Sequence, residues 1–221
     1  RQAGLKAVVV RHPMPYGDLA RQAVQRFSSR ADPDDADLTL EEREEYERHI
    51  DKGTVVYAGV DYQRILDQAQ READVILWDG GNNDTPFFCP DLWITVADAL
   101  RPGHEISYYP GETNFLAADL IVINKANSAA EEDILAIEAN ASRLNPAAAV
   151  VVAGSEVRAE DPGAISGKRV LIVEDGPTIT HGGMAYGAGM VAARRYNATE
   201  VIDPRPYAVG SLKEIFSKFR H

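Results

Sequence analysis

Short apolar runs alternate along the chain with longer stretches in which apolar residues recur at helical spacing. The clearest run is DVILWDGGNN at residues 74–83, where four apolar residues end abruptly at Asp79 and two glycines. An apolar run this short before a glycine-rich bend is typical of a parallel strand that is buried on both faces. Similar runs occupy residues 5–10, 53–59, 92–97, 119–124, 147–153, 168–175 and 200–203. The alternation predicts an α/β fold with a mainly parallel sheet and flanking helices.

The helical stretches carry recognisable start signals. Thr39 and Glu42 form a capping box that opens a strongly charged helix running to about Ile50. We interpret that helix as a solvated face or a mobile lid rather than as core. A second capping box is predicted at Ser128 and Glu131, and Asp61 is predicted to cap a further helix. Residues 19–27 also have helical spacing.

Composition limits the classes of function. The chain has 221 residues, 45% of them hydrophobic, and a net charge of -11. This acidic balance argues against nucleic-acid binding and against docking on anionic lipid, because both need a basic surface. Cys89 is the one cysteine, which fits a reducing cytoplasm, and we expect it to be a buried small residue. No segment approaches the about 20 apolar residues that span a bilayer, so we expect a cytoplasmic protein.

Four loops at predicted strand ends mix glycine, proline and charged residues. They lie at residues 11–18, 79–84, 124–128 and 174–183. Because the carboxyl ends of parallel strands meet at one edge of a sheet, we expect these loops to form one cleft. Asp79 would lie in this cleft, where the Walker B aspartate of nucleotide-hydrolysing folds helps to hold Mg²⁺. The alternative is that Asp79 caps a turn, since Asp-Gly is a common turn pair.

Asn124 and Lys125 follow a predicted strand and resemble the base-recognition motif of GTP-binding proteins. In that motif the lysine stem covers the base, and an aspartate two positions on accepts hydrogen bonds from guanine. Asn127 stands at that position here, and its amide lacks the charge that pairs with two guanine donors. Ser155, after the next strand, falls where such proteins place a further base-contacting loop. The alternative is a polar strand end in which Asn124 stabilises a turn.

Cationic side chains in the loops are candidates for binding phosphate or carboxylate groups. They are Arg11, His12, Arg101 and His104. A metal site built from His12, His181 and either Glu174 or Asp175 is an alternative, although no HExxH-type spacing supports it.

Several long and unusual strings together resemble one family over nearly the whole chain. They are RHPMPYGD (11–18), EEREEY (41–46), YAGVDY (57–62), LWDGGNND (77–84), RPGHE (101–105), VEDGPT (173–178), THG (180–182) and DPRPY (203–207). The strings resemble the cyclic 2,3-diphosphoglycerate synthetase family and its GTPase-like bacterial relatives. That family has a P-loop domain after a separate N-terminal α/β domain, and it uses ATP to form an intramolecular phosphoanhydride.

The resemblance implies a P-loop NTPase-like three-layer sandwich for this chain. Residues 1–158 would be the C-terminal portion of the nucleotide-binding domain, and residues 159–221 an α/β extension packed on the same sheet. The 221 residues contain no GxxxxGK[ST] loop, and the resemblance places that loop just upstream of residue 1. The implied cofactors are Mg²⁺ and ATP or GTP, and the implied partner is a small phosphorylated substrate, with a homodimer as a further possibility.

Site roles follow from the same resemblance. Asp79 would orient Mg²⁺, and Asn124 and Lys125, with Asn127 and Ser155, would hold the base. Arg11 and His12 would bind the highly charged diphosphoglycerate, and with Asp79 they would be the catalytic residues. The remaining candidates for the substrate, for metal positioning or for accepting a proton are Asp18, Arg101, His104, Glu112, Glu174, Asp175 and His181. Two other functions remain open: an NTP-hydrolysing switch or metallochaperone, and a non-catalytic nucleotide-binding or assembly module.

Overall fold

The chain forms two compact units, residues 1–154 and residues 155–221. The structure is a computed structural model, and it describes residues 3–13, 18–36, 38–81, 84–174 and 184–218. The division into a nucleotide-binding portion at residues 1–158 and an extension at residues 159–221 stays a prediction. That the second unit shares a sheet with the first stays a prediction.

The first unit contains a four-stranded sheet in the order β2-β3-β1-β4. Its strands are β1 (Ala7–Arg11), β2 (Gln25–Phe27), β3 (Val55–Ala58) and β4 (Val75–Trp78). Strands β3 and β4 both pair in parallel with β1, whereas β2 pairs antiparallel with β3. The valine-rich runs form these strands because β-branched side chains pack well on a pleated surface that is covered on both faces.

Helices cover both faces of this sheet. Helix α1 (Leu40–Asp51) packs Tyr46 and Ile50 against Val9 and Val56, and helix α2 (Tyr62–Ala69) packs Ile65 and Ala69 against the opposite face. The expected α/β class, with helices layered on both sides of a parallel sheet, is therefore confirmed in the first unit.

The interpretation of α1 as a solvated face or lid was wrong. Its capping box is present, with the Thr39 side chain accepting from the Glu42 amide and the Glu42 side chain accepting from the Thr39 amide. Tyr46 is completely buried, however, and its ring lies 5.0 Å from that of Phe27. The many charges of α1 obscured a narrow buried stripe. It consists of Tyr46 and Ile50 together with Glu42, which is also buried.

A second sheet in the same unit has the order β5-β6-β7 and is parallel throughout. It consists of β5 (Ile94–Asp98), β6 (Leu120–Asn124) and β7 (Ala149–Val152). One face packs on α3 (Gly111–Ala117) and α4 (Glu131–Leu144), with Phe115, Ile121 and Ile137 fully buried. The buried amide of Asn145 holds the end of α3 by donating to the carbonyl oxygens of Phe115 and Ala118.

Two local structures that the sequence predicts, a capping box at Ser128 and a helix over residues 19–27, are not formed in these described segments. Helix α4 begins after Ala130 with no side-chain cap, so the capping box at Ser128 was wrong. Residues 19–27 form turns and then β2 rather than a helix. The carbonyl oxygens of Gln22 and Ala23 accept from the amides of Val60 and Asp61, and these long-range bonds replace a helical ladder. Gly59 permits this approach, since a Cβ there would lie 2.5 Å from the Ala23 carbonyl oxygen.

The second unit pairs β8 (Arg169–Val170) in parallel with β9 (Glu200–Val201). Helix α5 (Ala188–Arg195) precedes β9, and α6 (Ser211–Lys218) follows it. Arg195 ties α5 to the start of the unit through the Glu156 carboxylate and the Val157 carbonyl oxygen. Within the part of the chain that the structure describes, no helix has both the length and the apolar character needed to cross a membrane.

The buried side of α1 can be tested by truncating Tyr46. We expect Tyr46→Ala to lower the free energy of unfolding by about 3 kcal/mol, because it leaves a cavity between α1 and the sheet. The matched control is Leu40→Ala in the same helix, where the side chain is 78% exposed. Its effect should stay within about 0.5 kcal/mol. Urea denaturation measures both, and equal effects of the two substitutions would show that α1 does not pack as core.

Candidate functional site

The register between β1 and β4 brings Arg11 and Asp79 together. Val10 pairs with Trp78, and the amide of Asp79 donates to the Val10 carbonyl oxygen at 3.0 Å. Arg11 is the last residue of β1 and Asp79 directly follows β4, so both side chains lie at the carboxyl edge of the sheet. The Arg11 Nη1 atom lies 3.3 Å from Asp79 Oδ2.

Helix α1 adds two side chains that the sequence reasoning missed. Glu45 Oε2 lies 2.8 Å from Arg11 Nη1, and His49 Nε2 lies 3.7 Å from Asp79 Oδ2. Glu45 and His49 are four residues apart and therefore lie on one side of the helix. That side is next to the buried stripe that contains Tyr46 and Ile50. This i, i+4 spacing was the available signal, but it points to a site only once α1 is known to pack on the sheet.

His12 and Asp84 extend the same group. His12 Nδ1 lies 3.3 Å from Asp84 Oδ2, and that carboxylate also accepts from the Gly81 amide at 2.9 Å. The Asp84 carbonyl oxygen accepts from Asn114 Nδ2 at 2.8 Å, which links the loop after β4 to helix α3. We call Arg11, His12, Glu45, His49, Asp79 and Asp84 the carboxyl-end cluster.

The carboxyl-end cluster combines three carboxylates with one guanidinium and two imidazoles. The Asp79 side chain is 47% exposed, so a ligand can reach it. In residues 3–13, 18–36, 38–81, 84–174 and 184–218, no three His, Cys, Asp or Glu side chains are grouped to hold a metal ion. Mg²⁺ is commonly bound through one or two carboxylates, with waters and substrate phosphates completing its shell. Asp79 fits that kind of binding, as a single protein ligand, rather than an all-protein cage.

A second polar group lies at the carboxyl ends of β5 and β6. Asp98 pairs in register with Asn124, and the next residue, Lys125, places its Nζ atom 2.6 Å from Asp98 Oδ2. The Arg101 Nε atom lies 3.9 Å from the same carboxylate oxygen. Lys125 adopts a left-handed backbone conformation with φ of 62°, which is uncommon for a residue with a side chain. Strain of this kind concentrates at functional sites.

The predicted base-binding residues of the first unit lie close to one another. Asn124 ends β6, and residues 126–128 turn so that the Ala126 amide donates to the Ala153 carbonyl oxygen just past β7. The Asn127 side chain lies close to Gly154. A Cβ atom at Gly154 would lie 3.2 Å from Asn127 Oδ1. Ser155 begins the second unit. The arrangement places Asn124, Lys125 and Asn127 at one end of the second sheet, and their role in holding a base stays a prediction.

The other predicted site residues have mainly local contacts. Asp18 accepts from the Ala20 amide, the His104 ring lies 5.1 Å from that of Tyr108, and Glu112 is exposed in the first turn of α3. Asp175 and His181 lie outside the described residues. Cys89 is exposed, so its prediction as a buried residue was wrong.

Glu174 caps a helix in the second unit. Its carboxylate oxygens accept from the amides of Gly187, Gly189 and Met190 at 2.9–3.0 Å, at the start of α5. A carboxylate at a helix N-terminus satisfies amides that have no partner within the helix. A role for Glu174 in binding metal or substrate stays a prediction.

Comparison with known proteins finds one informative relative. No family model matches the chain. Arginine synthetase ArcE from Thermococcus kodakarensis is 58% identical over 221 residues, which are 100% of this chain and 49% of that protein. The chain thus spans about half the length of the curated relative it matches. The solved structure of HypB from Helicobacter pylori in complex with nickel has a TM-score of 0.40 and 14% identity over 67% of this chain and 66% of that one, and this likeness is too low to carry an argument.

The link between α1 and the sheet edge can be tested with a double-mutant cycle. We expect Arg11→Met and Glu45→Gln to show a coupling of about 0.5–1 kcal/mol in the free energy of unfolding, since the pair is partly shielded from water. The matched control is the exposed cross-strand pair Arg169→Met and Glu200→Gln, whose side chains are joined at 2.7 Å. Its coupling should be smaller and should vanish in 0.5 M salt. A first-pair coupling of zero would contradict the observed contact.

Proposed function

We propose that this chain is part of an ATP-dependent synthetase that binds Mg-nucleotide at the carboxyl ends of its parallel strands and forms arginine. The observation that carries the proposal is the 58% identity to an arginine synthetase along the entire chain. The two polar groups at the carboxyl edges of the sheets are the places where this kind of fold binds ligands.

The nucleotide part of the proposal is supported by the residues at the strand ends. Phosphoryl transfer relies mostly on positioning and on neutralising charge. Asp79 would hold Mg²⁺, which, when bound, neutralises the phosphate oxygens. Arg11 and His12 would bind phosphate oxygens on the same side, and Asn124, Lys125 and Asn127 would hold the base. The amide of Asn127 is a poorer partner for guanine than a carboxylate is, which favours ATP over GTP.

The charge of the carboxyl-end cluster favours an amino acid over 2,3-diphosphoglycerate as the substrate that accompanies the Mg-nucleotide. Arg11 is already paired with Glu45 and Asp79, and His12 with Asp84. A highly charged anion such as 2,3-diphosphoglycerate needs cations in excess, and this cluster sets three carboxylates against one guanidinium and two imidazoles, which gives no excess of cations. A substrate or product with ammonium or guanidinium groups has donors for those carboxylates.

One observation supports the alternative, an ATP-dependent phosphoanhydride synthesis as in the cyclic 2,3-diphosphoglycerate synthetase family. A terminal nitrogen of Arg101 is buried and has no hydrogen-bond partner among the described residues. An arginine donor without an acceptor is costly, and a phosphate oxygen would satisfy it. This reading still leaves the carboxylates of the carboxyl-end cluster unexplained.

Ligand-induced thermal stabilisation distinguishes arginine from 2,3-diphosphoglycerate as the ligand of the protein. A ligand that binds the native state raises the midpoint of thermal unfolding by mass action. We expect the full-length protein to be stabilised by ATP with Mg²⁺ more than by GTP with Mg²⁺, and by arginine more than by 2,3-diphosphoglycerate. Run from the product side, cleavage of a guanidinium C–N bond of arginine, with release of ammonia and a ureido amino acid, should drive the conversion of ADP and phosphate to ATP.

The outcomes of that experiment are distinct. Stabilisation by 2,3-diphosphoglycerate alone, with no ATP formed from arginine, would establish the alternative. Nucleotide hydrolysis that neither compound affects would indicate a switch or metallochaperone. A protein that binds nucleotide without any turnover would be a non-catalytic module.

Asp79 provides the residue-level test. We expect Asp79→Asn in the full-length protein to lower turnover at least about 100-fold, because an amide is a much weaker Mg²⁺ ligand than a carboxylate. The unfolding midpoint without nucleotide should change little, since the side chain is half exposed. Asp91→Asn, at an exposed residue between β4 and β5, is the matched control and should retain full activity. Full activity of Asp79→Asn would remove Asp79 from the site.

A further inference from the structure

Helix α1 brings one carboxylate into the carboxyl-end cluster that the binding of Mg-nucleotide does not use. Glu45 Oε2 lies 2.8 Å from Arg11 Nη1, and the Glu45 side chain is 40% exposed, so a ligand can reach it. Of the other two carboxylates, Asp79 is the proposed Mg²⁺ ligand, and Asp84 is paired with His12 and is 20% exposed. Glu45 is therefore the carboxylate of the cluster that remains for a second ligand.

The position of Arg11 shows which chemical group fits against Glu45. The Arg11 guanidinium lies between two carboxylates, with Nη1 at 2.8 Å from Glu45 and 3.3 Å from Asp79. A carboxylate and a guanidinium have matching planar geometry, so their contact selects for shape as well as for charge. The folded chain thus already holds a guanidinium group in contact with Glu45.

Mg-nucleotide would change the partners of Arg11. In the proposed function Mg²⁺ binds Asp79, and phosphate oxygens accept hydrogen bonds from Arg11. A phosphate is a stronger acceptor for a guanidinium than one shared carboxylate oxygen, because it can accept two hydrogen bonds at once. A guanidinium that turns to phosphate leaves Glu45, which is partly shielded from water, without its counter-charge. That loss is unfavourable until another cationic group reaches the carboxylate.

The place of Glu45 in the cluster determines which end of an amino-acid ligand it meets. Arginine carries an ammonium group at one end and a guanidinium group at the other. The bond that forms or breaks in the proposed reaction is a C–N bond of the guanidinium, so this end must lie beside the phosphates. Glu45 contacts Arg11, which is the proposed phosphate ligand, and it therefore faces the reacting end.

We propose that Glu45 binds the guanidinium group of arginine after Mg-nucleotide has drawn Arg11 away from it. This assignment rests on the proposed synthetase function and names the residue of that site that recognises the reacting group. The ureido group from which the guanidinium forms is neutral, and it has an oxygen in place of one nitrogen donor. Glu45 therefore favours the guanidinium over the ureido group, and it stabilises the positive charge that appears as one is converted to the other.

Calorimetric titration of the full-length protein tests this assignment without turnover. Arginine and its ureido counterpart are titrated separately into protein saturated with Mg-ADP and free of phosphate. We expect the wild type to bind arginine at least about tenfold more tightly, because the ureido compound replaces a charged donor by an acceptor. Glu45→Gln should weaken arginine alone and bring the two dissociation constants to within about threefold of each other.

Two further variants make the comparison specific. Glu44→Gln is the matched control in the same helix, where the carboxylate pairs with Arg48, and it should keep the wild-type preference for arginine. Glu45→Asp retains the charge on a shorter side chain and should keep part of the preference. It also replaces Glu45→Gln in the test if circular dichroism shows that the glutamine variant does not fold.

The outcomes separate this assignment from the proposed function. A preference for arginine that persists unchanged in Glu45→Gln would overturn the assignment and leave the synthetase function intact. A wild-type protein that binds Mg-ADP but neither amino acid would overturn both. Loss of Mg-ADP binding in a folded Glu45→Gln protein would show that Glu45 serves the nucleotide, which would also contradict the assignment.

Discussion

The parallel pairing of β1 with β4 is the constraint on which the candidate site depends. The ladder places Val10 beside Trp78. The next hydrogen bond, from the Asp79 amide to the Val10 carbonyl oxygen, fixes the backbone position from which the Asp79 side chain extends. A slip by one residue would exchange the faces of the strand and would move Val9 from the side that α1 covers to the side that α2 covers. The packing of Val9 and Val56 under α1 therefore also secures the distance between Arg11 and Asp79.

Helix α1 connects the core to the site through its two sides. Tyr46 and Ile50 anchor the helix on the sheet, and this anchoring places Glu45 and His49 beside Arg11 and Asp79. The Thr39 capping box fixes where the helix starts, and the packing of Tyr46 and Ile50 fixes which side of it faces the sheet. A substitution in the apolar stripe of α1 is thus expected to disturb the site without touching it.

The sequence predicted the elements whose signals are local, and it failed where long-range contacts decide. Apolar runs before glycine located the strand before Asp79, and Thr39 and Asp61 were correctly identified as helix caps. Residues 19–27 were wrongly predicted as helix because their backbone bonds go to Val60 and Asp61, which no local window contains. Likewise, Arg11 and Asp79 could be placed at one sheet edge from the parallel pattern alone. Glu45 and His49 could not, because the charge of α1 concealed its buried stripe.

The ion pairs of the carboxyl-end cluster place a condition on any ligand. An anion that takes Arg11 Nη1 as its donor replaces Glu45 or Asp79, and a cation that binds Asp79 Oδ2 replaces Arg11. Either exchange alone leaves one partner of a partly shielded pair without its counter-charge, which opposes binding. A nucleotide with its metal, or an amino acid, carries both signs of charge. Such a ligand can replace the Arg11–Asp79 pair by two new ion pairs, one with Arg11 and one with Asp79, so that no charge is left without a partner. We therefore expect any ligand of the cluster to carry both signs of charge, because α1 and the β1–β4 register hold these ion pairs in place without a ligand.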